Sequence, residues 1–159
     1  MQGLKKGQQH QQLADTLISP DLTDPEATTL ELDEMWSFVV KKVKQHWIWL
    51  AICRTTRQVV AYVIGDRSAA TCRKLWRAIP KAYRTGTCYT DFWNAYAAVI
   101  PDDQHQAVGK ETGETAHIER FNTTIRQRLA RFVRKTLSFS KSSVMHEICL
   151  RLFLWRYNG

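Results

Sequence analysis

Three acidic residues occupy settings able to hold a carboxylate rigidly: Asp33 in Glu31-Leu-Asp-Glu-Met-Trp, Asp91 in Tyr89-Thr-Asp-Phe-Trp and Glu119 in His117-Ile-Glu-Arg-Phe-Asn. Asp33 lies in an otherwise apolar, strand-like stretch, where an ionised side chain is costly without a partner or a cation. Magnesium takes oxygen ligands and keeps several waters, so one or two carboxylates plus a substrate phosphate can hold it. Three carboxylates can share two ions, one activating the attacking oxygen and the other stabilising the leaving oxygen of a phosphoryl transfer. Each residue also has a plainer reading: Asp33 as the frayed start of a strand, Asp91 as the N-cap of a helix beginning at Phe92, and Glu119 as a solvent-facing helix residue. Glu34 must leave the strand on the face opposite Asp33, which suits a supporting or solvent role.

Glu119 gains weight from its company. At 100° per residue, Glu119, Asn122 and Arg126 return to one helix face, and a guanidinium there can clamp a phosphate with two parallel hydrogen bonds. Arg120, Arg128, Arg131, Arg134 and Lys135 spread around the same helix and suit contacts with a DNA backbone, giving affinity without reading sequence. The formal net charge is +8. From Thr115 to Gly159 there are nine Lys/Arg against Glu119 and Glu147, whereas Met1 to Glu114 holds 14 basic and 13 acidic residues. A basic helical half beside a carboxylate-bearing half fits an enzyme acting on nucleic acid, because released counterions drive binding to phosphates. Trp93 and Tyr96 suit either the core or stacking on a base, and His117 stands close enough to Glu119 to touch the site. His146 reads as an ordinary, partly buried histidine.

The elements that would position these groups follow from periodicity. Three β-rich stretches, Leu32 to Val43, Trp47 to Arg54 and Val59 to Ile64, have short polar links and read as an antiparallel meander. A helix runs from Ser68 to about Ile79, ended by Pro80. A short strand from Thr87 to Thr90 precedes Asp91 and a helix-like Phe92 to Val99. A further strand is expected at His105 to Val108. A long helix then spans about Thr115 to Lys135 with an apolar stripe of Ile118, Phe121, Ile125, Leu129 and Phe132. A last helix, about Ser142 to Arg156, is expected to pack Val144, Met145, Ile148, Cys149, Leu152 and Phe153. This order gives an α/β fold, a mixed five-stranded sheet flanked by helices. The succession resembles that of ribonuclease H-like domains, which implies that the first and fourth strands lie side by side at the centre of the sheet.

The division expected is a polar, flexible leader over Met1 to Thr29 and one catalytic domain over residues 30–159. The four cysteines have no Cys-x-x-Cys pair and read as buried free thiols in a reducing cytoplasm. The first residues lack the apolar stretch of a signal peptide, and no run is long enough to span a membrane.

The three quoted segments, with the continuous block from His117 to Ser142, resemble the catalytic part of a DDE transposase of the insertion-sequence-one family, from about Glu31 to the C-terminus. The resemblance implies an enzyme that cuts the ends of a mobile element and joins them to target DNA. It implies Asp33, Asp91 and Glu119 as the catalytic, metal-holding residues for Mg²⁺ or Mn²⁺, two ions in all. Arg126 matches the basic residue that recurs seven positions after the catalytic Glu. DNA, a homo-oligomer on DNA and a bacterial, nucleoid-associated cytoplasmic location are further implications. Family members generally carry an amino-terminal zinc-binding and helix-turn-helix region, for which the Cys and His spacings here make no provision. The chain is therefore expected to be a downstream reading-frame product or a truncated copy that works with an upstream-frame DNA-recognition domain. Two other functions fit the same residues: a catalytically silent DNA-binding fragment that modulates the full transposase, and a nuclease of the same fold.

Overall fold

Strand β2 (Gln45–Cys53) shows how the sequence builds two cores at once. Successive side chains leave a strand on opposite faces. Trp49, Ala51 and Cys53 enter one buried cluster, while Ile48, Leu50 and Ile52 enter another. The computed structural model describes residues 13–38, 45–135 and 143–159. Within them β1 (Leu30–Phe38), β2 and β3 (Val59–Gly65) form the expected antiparallel meander. β4 (Cys88–Thr90) pairs in parallel with the other edge of β1, and β5 (His105–Ala107) pairs in parallel with β4. The result is a mixed five-stranded sheet in the order β3-β2-β1-β4-β5. This is the ribonuclease H-like α/β arrangement read from the sequence, with β1 in the middle and β4 beside it. The first strand was expected to continue to Val43, and residues 39–43 lie outside the described residues.

Helices cover both faces. α1 (Ala69–Ala78) and α2 (Asn94–Val99) contribute Cys72, Leu75, Ala95 and Tyr96 to the first core. Ser68 caps α1 by accepting from the Thr71 N–H, and Ile79 turns extended ahead of Pro80, as the residue before a proline tends to do. α3 (Ala116–Lys135) and α4 (Ser143–Asn158) contribute Ile118, Phe121, Ile125, Leu150 and Leu154 to the second core. Gly113, at φ +73°, makes the left-handed bend that leads into α3. No helix among the described residues is long and apolar enough to cross a membrane.

Two helix expectations need correction. α2 begins at Asn94, not Phe92, and its N-cap position is Trp93. Asp91 instead accepts the Trp93 N–H on Oδ1 at 2.9 Å, a local turn that competes with helix for the same side chain. Among the described side chains of α4, Leu150 and Leu154 are fully buried, whereas Leu152 is 59% exposed. Apolar residues occur all round this helix, so periodicity alone does not pick its inner face. The side chains of Leu129, Phe132, Val144, Met145 and His146 lie outside the described residues.

Residues 13–29, read from the sequence as part of a polar leader, are tied to the domain. Leu13 is buried in the second core. Buried Gln58 donates from Nε2 to the Thr16 carbonyl and accepts the Ile18 N–H, both at 2.8 Å, and Tyr83 Oη donates to the Ile18 carbonyl. Backbone groups make these attachments, which side-chain periodicity does not reveal. Residues 1–12 lie outside the described residues.

Candidate active site

Parallel pairing of β1 and β4 sets Leu30 opposite Cys88 and Glu31 opposite Tyr89. Continuing that register by two residues brings Asp33 beside Asp91. Alternation along β1 sends Leu30 and Leu32 into the first core and Met35 into the second, so Asp33 emerges on the α3 side and Glu34 on the α2 side. There Asn122 donates from Nδ2 to Asp33 Oδ2 at 2.6 Å. Glu119 stands in the first turn of α3, where the helix dipole favours a carboxylate, and accepts the Thr115 hydroxyl on Oε1 at 3.0 Å. Asp33, Asp91, Glu119, Asn122 and Arg126 line one cavity of about 350 Å³.

The sequence reading missed two cations on this cavity, Arg67 and Lys110. Conversely, Arg120 borders a different pocket and the Arg128 guanidinium lies 5.8 Å from the Phe153 ring centroid. The side chains of Arg131, Arg134 and Lys135 lie outside the described residues.

Asp33 carries an electrostatic cost at this site. Burial, followed by the charges of Glu34 and Asp91, pushes the Asp33 carboxyl up to about 7. Asp33, Glu34 and Asp91 each bring a carboxylate oxygen within 4.8 Å of the others. Asn122 Oδ1, buried at the same cavity, has no hydrogen-bond partner. A close set of oxygen donors, one held back from ionising by burial and by its like-charged neighbours, fits a hard divalent cation. Asp33, Glu34 and Asp91 form the group close enough to hold it together, and Glu119 lines the same cavity.

Glu34 is fixed from the other side of the sheet. Tyr96 Oη donates to its Oε2 at 2.5 Å, and Arg67 donates from Nε and Nη2 to Oε1 at 2.9 and 2.8 Å. Burial raises its carboxyl, while these hydrogen bonds hold it down. Arg67 is packed against Trp47 and Trp93, 4.7 and 3.9 Å from their ring centroids. Glu34 therefore supports the site, and the solvent option is excluded because it is buried. Tyr96 is fully buried in the first core, and Trp93 is half-buried, packed against the edge of that core and under Arg67.

His117 turns away from Glu119. Its Nδ1 lies 2.8 Å from Glu31 Oε2, and its backbone N–H donates to Glu31 Oε1 at 3.1 Å. Glu31, with no exposed surface, thus tethers the start of α3 to β1. Burial lifts its carboxyl to about 7 against the pull of Arg54 and Arg57. Arg54 spans Glu31 at 3.8 Å and Glu114 at 2.9 Å. The signal for Glu31 was available, since it shares a strand face with Asp33. Arg67 and Tyr96 gave none, being 33 and 62 residues from their partner Glu34.

Comparison with known proteins identifies the family. The model of the IS1 transposase family matches residues 27–157. The Insertion element iso-IS1n protein InsB of Shigella dysenteriae is 40% identical over 133 residues, covering 82% of this chain and 97% of the relative. The Insertion element IS1 protein InsB of Shigella flexneri is 39% identical over 117 residues, covering 74% of this chain and 86% of the relative. The Insertion element IS1 4 protein InsB of Escherichia coli (strain K12) is 38% identical over the same length, with 74% and 68% covered. With a matching model over most of its length and relatives at this identity, the chain belongs to the IS1 transposase family.

Proposed function

We propose that this chain is the catalytic domain of a DDE transposase, performing metal-dependent DNA strand cleavage and strand transfer for a bacterial insertion sequence. The observation that carries the reading is the meeting of Asp33 and Asp91, from adjacent parallel strands, with Glu119 of α3 around one cavity. In this reading the three carboxylates hold two Mg²⁺ or Mn²⁺ ions. Such ions supply the positive charge that activates the attacking oxygen and stabilises the leaving oxygen of an in-line displacement.

The chain's own residues do the positioning. Asn122 fixes the Asp33 carboxylate and Thr115 fixes that of Glu119, so neither has to reorganise as charge moves. Arg126 and Lys110, both on the cavity, orient the scissile phosphate. Arg67 is committed to Glu34 and keeps that charge from competing for the ions. Water attacks first, freeing a 3′ hydroxyl at the element end. That hydroxyl then attacks a target phosphodiester, with no covalent protein intermediate. A homo-oligomer pairing two element ends, an upstream-frame DNA-recognition domain as partner and action on DNA in the bacterial cytoplasm complete the proposal.

The test is joining of pre-cleaved element-end oligonucleotides to plasmid DNA in Mn²⁺ or Mg²⁺, with Asp91→Asn alongside. Metal-dependent joining that falls at least about 100-fold in the variant supports the reading. Cutting without joining would favour a nuclease, and DNA binding with neither activity would favour a silent modulating fragment.

A further inference from the structure

A second pocket, of about 260 Å³, lies round α3 from the carboxylates. Arg57, His117, Arg120, Thr124 and Tyr157 surround it beside Phe121, and among the described residues no carboxylate lines it. Arg57 belongs to the β2–β3 turn and has φ +64°, a left-handed conformation that side chains of its size seldom adopt. The turn, rather than the residue's own preference, fixes where this cation stands.

Neither Arg57 nor Arg120 forms an ion pair among the described residues. The carboxylate nearest to His117, Glu31, is already engaged by the His117 backbone and Nδ1 and by Arg54. With Nδ1 committed to Glu31, the His117 ring serves as a wall of the pocket. Along α3, Arg120, Thr124 and Arg128 recur every four residues, a ridge roughly 100° or more around the helix from Glu119, Asn122 and Arg126. The two ridges therefore address different surfaces.

Arg57, which acts on Glu31 only from beyond ion-pair distance, and exposed Arg120, with a hydroxyl and aromatic walls, suit a phosphodiester whose sugar lies against a ring. We infer that the pocket of Arg57, His117 and Arg120 is a second phosphate site, gripping the DNA backbone away from the reacting phosphate. The choice of DNA as the source of that phosphate rests on the transposase reading. The pocket anchors duplex on the far side of α3, so the reacting strand is held at two points on one helix.

The experiment is fluorescence anisotropy of the full chain with a labelled duplex of about 30 base pairs, between roughly 50 and 200 mM salt. The variants are Arg57→Gly with Arg120→Gln, and separately Arg120→Glu. Glycine is at ease at positive φ and Arg120 is exposed, so both variants should fold, which circular dichroism checks. The expected result for the double variant is an affinity about tenfold lower and a salt slope shallower by about 1 to 2, close to 0.9 for each phosphate released. Arg120→Glu should lose at least as much affinity, because it adds repulsion. Folded variants that keep the parent's affinity and slope would overturn the site while leaving the transposase reading intact. A parent chain that binds no duplex at any salt would also overturn the site, while the joining assay tests the transposase reading separately.

Discussion

Replacing Asp33 by Asn separates the charge of the candidate site from its shape, because an amide oxygen can still accept from Asn122 Nδ2. The parent carboxyl is pushed up to about 7 by burial and then by Glu34 and Asp91, whereas an unfolded Asp titrates near about 3.9. The folded chain therefore holds this proton more tightly than the unfolded chain. The stability it contributes is complete below about pH 4 and is lost as pH rises through about 7. About three pK units at roughly 1.4 kcal/mol each set a ceiling of about 4 kcal/mol. The cavity is open to water, and screening brings the expected cost to about 2 kcal/mol at pH 8. Asn carries no such cost. In EDTA, urea melts should show Asp33→Asn more stable than the parent by about 2 kcal/mol at pH 8, or roughly 4 to 8 °C in Tm, with little difference near pH 4. Mn²⁺ at about ten times its Kd should return about 1.4 kcal/mol to the parent and much less to the variant. A variant less stable than the parent at pH 8 in EDTA, or stabilised equally by Mn²⁺, would refute the reasoning.

Other perturbations address the supports of the site. Glu31→Ala leaves the start of α3 and Arg54 without their buried partner and should cost about 3 to 5 kcal/mol by chemical denaturation, whereas unchanged stability would show that the tether carries no energy. At Gly86 a Cβ would run into the Thr28 carbonyl, so Gly86→Ala should cost about 1 to 3 kcal/mol in the same assay. Burial pushes the Cys72 and Cys88 thiols up to about 12, so Ellman's reagent at pH 8 should leave both unmodified until denaturant is added. Rapid modification of either in the native chain would contradict their placement in the core.

Much of this architecture could be read from local pattern. Alternation in β1 and β2, the Ser68 cap and Pro80 stop of α1, and the 3.6-residue stripe through Ile118, Phe121 and Ile125 each rest on neighbours within a turn or two. The adjacency of β1 and β4 came from the succession of elements, and it gathers Asp33, Asp91, Glu119, Asn122 and Arg126 on one cavity. What escaped depends on distant side chains. The Arg67–Glu34–Tyr96 cluster joins the loop between β3 and α1, strand β1 and helix α2, and no spacing announces such a contact. Asp91 was ambiguous because Asp suits both a helix cap and the turn it makes. The inner face of α4 was hidden by apolar residues on every side, and the anchoring of residues 13–29 by backbone hydrogen bonds to Gln58 and Tyr83.

The most direct test of the carboxylate assignment is anomalous diffraction from crystals of the chain soaked in Mn²⁺. A site held by Asp33 and Asp91 predicts an anomalous peak between them, at about 2.0 to 2.3 Å from a carboxylate oxygen of each, a second peak toward Glu119 when a DNA end is bound, and loss of the first peak in Asp91→Asn. Full Mn²⁺ occupancy elsewhere on the chain, with no peak between Asp33 and Asp91, would contradict it.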